Sequence, residues 1–192
     1  MKPSLKEKAK LEGRDTLISF GLNSRLVKSD GMVTEQVYKS GGLYGPAIDR
    51  IIQWLNKALP FAENPAQAES IRKLISFYQT GSLVTWDEYN IAWVRDLESK
   101  VDFINGFIEV YGDPMAMKGS WEAMVNFKDV EATRRTEVLS SKAQYFEDNS
   151  PVDQEYKKEK VKGVSAKVIT AAQLGGDCHP STPIGINLPN AN

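Results

Sequence analysis

Residues 101–114, VDFINGFIEVYGDP, decide the fold class. β-branched and aromatic side chains dominate the run, Gly106 interrupts it and a Gly-Asp-Pro turn closes it, which is the pattern of a strand. What comes before it is helical. Pro46 is placed to open a helix in which Ile48, Ile51, Ile52, Leu55 and Leu59 recur at helical spacing until Pro60. Asn64-Pro65-Ala66-Gln67 reads as an N-cap, a first-turn proline and a capping-box glutamine for a second helix, which Gly81 closes. Thr85-Trp86-Asp87-Glu88 repeats that logic and predicts a third helix carrying Tyr89, Ala92, Trp93 and Leu97. Three helices joined by short loops predict an antiparallel helical unit.

Outward from there, residues 16–38 hold two β-prone runs around Ser29-Asp30-Gly31, and Asp-Gly between such runs predicts a hairpin. Downstream, residues 121–146 begin β-like and become helical through Glu131–Tyr145, giving a long helix. Asp148–Lys162 is polar and reads as a loop whose basic run, YKKEKVK, is a solvated face. VSAKVITAA at 164–172 predicts a strand, LGGDCHPS a turn-rich loop, and PIGINLP a short strand-like piece. A hairpin, helices and then strands without βα alternation give an α+β fold. Residues 1–15 are a charged lead, and 16–192 form one α+β unit.

Composition excludes several classes. Twenty-four basic residues against 25 acidic ones leave a formal charge of −1, which lacks the footprint of a duplex-binding protein. No apolar run reaches the length of a membrane span, and the opening MKPSLKEKAKLEG lacks the apolar centre of a secretion signal. A lone cysteine permits no intrachain disulfide, so a cytoplasmic setting is expected.

Metal and nucleophile chemistry are limited by inventory. The chain has one histidine, His179, next to its one cysteine, Cys178. A zinc site usually takes three protein ligands, and adjacent residues rarely converge on one ion or form a nucleophile–base pair. HExxH, GxGxxG and the phosphate-loop pattern do not occur. Polar residues in apolar settings are more informative. Alternation along the 101–108 strand puts Asp102 on one face with Ile104, Gly106 and Ile108. A carboxylate there requires a partner, either an internal cation or donor or the ammonium of a ligand. Asn187 and Asn190, three apart around Pro189, pose the same choice between stabilising a turn and gripping a peptide backbone or amine.

Four blocks, VDFINGFIEVYGDP, GSWEAMVNFKDVEATRR, AQYFEDNSPVD and GDCHPSTPIGINLPNAN, together resemble the dipeptidyl peptidase III family of zinc-dependent aminopeptidases in its bacterial form. GGLYGPAIDRIIQWLNKA and DEYNIAWVRDLESKVDF extend the resemblance to nearly all of the chain from about Leu17. The resemblance implies an enzyme of two lobes around a cleft that removes dipeptides from the free amino end of peptides. It implies zinc held by an HExxGH helix that follows the GINLPN segment, so this chain is expected to be an internal fragment without the metal lobe. It also implies roles. Asp102 matches an acidic residue that binds the substrate's ammonium, Asn187 and Asn190 match the two asparagines that hold its amino end and backbone, and Pro183 and Ile184 line the same segment. A tyrosine that assists the reaction in animal and fungal members falls near Ile104, where this sequence departs, leaving Asn105 or Tyr111 to supply that hydrogen bond. The expected function is therefore the substrate-binding portion of a zinc dipeptidyl aminopeptidase. Alone it is expected to be inactive and to carry no cofactor, and its partners are a peptide with a free N-terminus and the missing zinc-binding lobe. The alternative is a non-catalytic peptide-binding or scaffold domain.

Overall fold

A computed structural model describes residues 21–161 and 166–179. The lead at 1–15, the strand-like PIGINLP and the four residues Pro183, Ile184, Asn187 and Asn190 lie outside the described residues. Strands β1 (Ser24–Ser29) and β2 (Met32–Val37) form the expected hairpin. Its two-residue turn holds Asp30 at φ 51° and Gly31 at φ 79°, the left-handed pair that matches the twist of antiparallel strands.

Helix α1 (Gly45–Ala58) starts with a proline in its first turn and runs into a 3-10 turn, Leu59–Phe61. In α2 (Pro65–Thr80) the Asn64 side chain accepts from the Gln67 amide at 2.9 Å, and Gly81 ends the helix at φ 69°. Helix α3 (Leu83–Arg95) corrects the expected start: Ser82, not Thr85, is its N-cap residue. Leu83, partly buried, packs against the core and draws the first turn back, and the Glu88 carboxylate pairs with Lys73 at 2.8 Å instead of closing a capping box.

The second part is a sheet of β3 (Val101–Glu109), β4 (Ser120–Lys128) and β5 (Ile169–Gly176) in the order β3-β4-β5, antiparallel throughout. The helical stretch after β4 is divided at Lys142 into α4 (Val130–Ser141) and α5 (Ala143–Asp148). β5 lies later than the 164–172 expected for it. Its glycines extend the strand by pairing with Ala123 and Glu122, and at Gly176 the chain passes so close to Trp121 that a side chain would strike the Trp121 carbonyl. The fold is α+β.

The core lies between the helices and β3. Leu74, Phe77 and Tyr78 are fully buried and pack with Ile48, Leu55, Ile71, Trp86, Tyr89, Tyr38, Phe107 and Ile108. The first turn of α2 fixes the start of β3. Asn64 donates to Asp96 and Ser99 at 3.0 and 2.9 Å, Gln67 donates to the Val101 carbonyl at 2.8 Å, and the Glu63 carboxylate accepts from the Val101 amide at 2.8 Å. Helix α3 then lies along β3, with the Trp86 ring over Gly106 and the Trp93 indole reaching Asp102. A Cβ at Gly106 would sit 2.4 Å from Trp86, so Gly106→Ala is expected to cost about 1–3 kcal/mol in overpacking. Urea denaturation checks this, and an unchanged midpoint would mean that the ring yields freely.

Strict alternation along β3 holds only to Gly106. Phe107 opposes Trp121 and Glu109 opposes Ser120, so Ile108 is an extra residue in a β-bulge, and Gly106, Phe107 and Ile108 are all buried. The bulge changes the direction of the strand just before Glu109.

Candidate functional site

Because β3 and β5 each run antiparallel to β4, they run parallel to one another, and their C-terminal ends meet at the same end of the sheet. β3 brings Glu109 and, just beyond it, Tyr111. β4 begins there and contributes Glu122, opposite Gly106 on one side and Gly176 on the other. From β5 the chain turns at Gly176, φ 59°, into Asp177 and Cys178, held by the Asp177 amide donating to the Trp121 carbonyl at 3.0 Å. Three carboxylates, a phenol and a thiol thus converge from positions far apart in sequence.

Their hydrogen bonds are specific. Tyr111 donates its hydroxyl to Asp177 Oδ2 at 2.8 Å, and Cys178 donates its thiol to Glu122 Oε2 at 3.2 Å. Glu122 is buried, and desolvation holds its carboxyl above the usual range, with the charges of Glu109 and Asp177 adding to the effect and the Cys178 bond opposing it. The bond to Asp177 is the largest influence on Tyr111, pushing its hydroxyl up to about 12. Burial, followed by the bond to Glu122, pushes the Cys178 thiol up to about 12, so it is protonated at neutral pH and unsuited to nucleophilic attack. The backbone bond His179 N to Gly176 O, 3.0 Å, closes the turn that follows β5.

Asp102 lies elsewhere. It is half-buried, paired across the ladder with Asn126, while Glu122 pairs with Gly106 four residues along β3, a separation of about 13 Å at ~3.3 Å per residue. It has internal partners: the Trp93 indole donates at 3.1 Å and the Phe103 amide at 2.7 Å. Burial still raises its carboxyl above the ordinary value, against the pull of those two donors and of the Lys167 charge. The folded state therefore favours the protonated form, and the carboxylate weakens the fold once pH rises through that elevated pKa. Asp102→Asn, which keeps an acceptor for Trp93, is expected to raise Tm at pH 7. The gain should shrink as pH falls through the Asp102 pKa, as read by thermal melts across pH.

The two other residues considered on this strand also differ. Ile104 is buried in the sheet. Asn105 accepts the Tyr78 hydroxyl at 2.7 Å, and the Tyr78 oxygen in turn accepts from the Trp121 indole at 3.1 Å. Tyr111 is exposed and stands in the acidic group. Among the described residues, no three His, Cys, Asp or Glu side chains are arranged to hold a metal ion, and no helix is long and apolar enough to cross a membrane.

The dipeptidyl peptidase 3 of Dictyostelium discoideum is 30% identical over 164 residues, 84% of this chain and 22% of that protein. An Arabidopsis thaliana protein, Nudix hydrolase 3, is 29% identical over 77% of this chain and 19% of its own length. The solved structure of DPP III from Caldithrix abyssi superposes with a TM-score of 0.79 at 22% identity, covering 95% of this chain and 34% of that one, a likeness of fold. The chain thus spans about a fifth of the length of these curated relatives and a third of the solved structure. A family model, Peptidase family M49, matches residues 22–192. The chain belongs to peptidase family M49.

Proposed function

We propose that this chain is the substrate-anchoring portion of a zinc-dependent dipeptidyl aminopeptidase, holding the charged amino end of a peptide while a separate metal-bearing lobe of the complete enzyme cleaves it. The observation that carries this reading is the family match across residues 22–192. The match to the Arabidopsis hydrolase spans 19% of that protein, which leaves ample chain elsewhere for the activity in its name. Zinc, when bound in the complete enzyme, polarises the scissile carbonyl and activates water. In this reading the zinc ligands belong to the metal-bearing lobe, and what this chain supplies is recognition.

An enzyme that counts residues from a free amine needs an anion and carboxamides at a fixed distance from the metal, in surroundings dry enough to strengthen the charge pairing. Asn187 and Asn190 are the proposed carboxamides, with Pro183 and Ile184 shaping that segment. Two positions can supply the anion. Asp102 is the first, and its raised pKa marks a charge that its internal donors leave incompletely stabilised. The group of Glu109, Glu122 and Asp177 is the second, and a specific observation favours it: carboxylates that repel one another gather at one end of the sheet, where the charges of Glu109 and Asp177 help hold the Glu122 carboxyl above its usual range. An ammonium placed among them would relieve that repulsion.

The test compares two proteins on a dipeptidyl-arylamide: the 192-residue chain and the product of the complete reading frame that contains it. The chain alone is expected to show no turnover and the complete product to show turnover that a chelator abolishes. A complete product that binds peptide without turnover would favour a scaffold function, and chelator-sensitive turnover by the chain alone would overturn the proposal.

A further inference from the structure

The outer face of α1 carries a group that the anchoring reading does not use. Trp54 is 65% exposed, and Phe61, seven residues on in the following 3-10 turn, is 83% exposed, whereas Ile48 and Leu55 of the same helix are buried. Arg50 and Lys57, four residues before and three after Trp54, share its side of the helix and are exposed. The Lys57 ammonium lies 4.3 Å from the centre of the Trp54 ring, a cation–π contact that leaves the ring's outer surface uncovered. Tryptophan, phenylalanine and arginine are the side chains that anchor protein interfaces. Two large exposed aromatics, one on the helix and one in the turn that follows it, with cations beside the first, call for a partner with both apolar and anionic character.

We infer that this face is a docking surface for an acidic segment bearing an apolar anchor, and that the segment belongs to the polypeptide the complete enzyme carries beyond these 192 residues. The inference rests on the proposed function for the existence of that polypeptide. It is supported by the fold comparison, in which 95% of this chain overlays 34% of the Caldithrix protein: about two-thirds of that protein remains to pack around an arrangement like this one. An apolar side chain from the partner covers Trp54 and Phe61, while its carboxylates meet Arg50 and Lys57.

Hydroxyl-radical footprinting with peptide-resolved mass spectrometry tests this directly. Oxidation of Trp54 and Phe61 is expected to fall several-fold in the product of the complete reading frame relative to the 192-residue chain. Arg50→Glu combined with Lys57→Glu should restore it while leaving the circular dichroism spectrum unchanged. Equal oxidation in both proteins, protection that grows with the concentration of the 192-residue chain alone, or a reading frame that adds no polypeptide would each overturn it. A peptidase assay on the same samples separates the two proposals. Turnover with unprotected Trp54 removes the docking surface and keeps the function, and protection without turnover does the reverse.

Discussion

Tyr78→Ala is expected to remove about 3–5 kcal/mol of stability, in the range of buried aromatic truncations. Tyr78 is fully buried between α2 and the sheet, against Phe77 at a ring distance of 5.3 Å, and its hydroxyl is the central member of the Trp121–Tyr78–Asn105 chain. The indole can only donate, so the phenol oxygen accepts from it and donates onward to the Asn105 carbonyl oxygen. Burial keeps this hydroxyl protonated far above its ordinary pKa, so the arrangement does not titrate in the neutral range. Single domains commonly have ~5–15 kcal/mol in total, so the substitution removes a large share. Tyr78→Phe separates the two contributions: it keeps the ring and strands one donor and one acceptor, for about 1–3 kcal/mol. Chemical denaturation of the three proteins checks the ordering, and a phenylalanine variant as unstable as the alanine one would place the energy in the hydrogen bonds.

The second large effect concerns recognition. In the complete enzyme, Glu109→Gln together with Asp177→Asn is expected to lower kcat/KM for peptides with a free amino end by about tenfold, because Asp177 is exposed and Glu109 half-buried and charge pairs of that kind contribute ~0.2–1 kcal/mol each. The same change should leave N-acetylated peptides at their already low rate. Asp102→Asn, seven residues before Glu109 on the same strand and so about 23 Å away at ~3.3 Å per residue, is the paired control. If it lowers kcat/KM for free amines as much as the double variant does, Asp102 holds the ammonium. If neither variant discriminates free from acetylated substrates, both assignments fail.

Where local chemistry fixes the backbone, the sequence announced the structure. Asp30-Gly31 folds into its turn because both residues tolerate positive φ, and Asn64 with Gln67 starts α2 through a hydrogen bond three residues long. Where packing decides, the prediction shifted. α3 begins at Leu83, which is partly buried against the core, and β5 extends through Gly175 to Gly176, where the Trp121 carbonyl leaves no room for a side chain. The strand at 101–109 was legible from its composition, yet its bulge at Ile108 was not, since a single extra residue leaves no mark on the alternation of an apolar run.

The acidic group was the feature hardest to read. Glu109, Glu122 and Asp177 come from three strand ends, and only the order β3-β4-β5, with its parallel outer strands, brings them together. The usable signal was topological: three strands joined antiparallel place the end of the first beside the end of the third. Asp102 was conspicuous in sequence for the opposite reason, because it stands in an apolar run, and the structure places two protein donors against it.

Titration of the 192-residue chain with a short peptide bearing a free amino group, followed residue by residue by NMR, bears most directly on the anchoring role. The expected result is saturable shifts at Tyr111, Glu122 and Asp177 that vanish when the peptide is N-acetylated. Equal binding of the free and acetylated peptides, or shifts confined to residues remote from every one of the proposed anions, would contradict it.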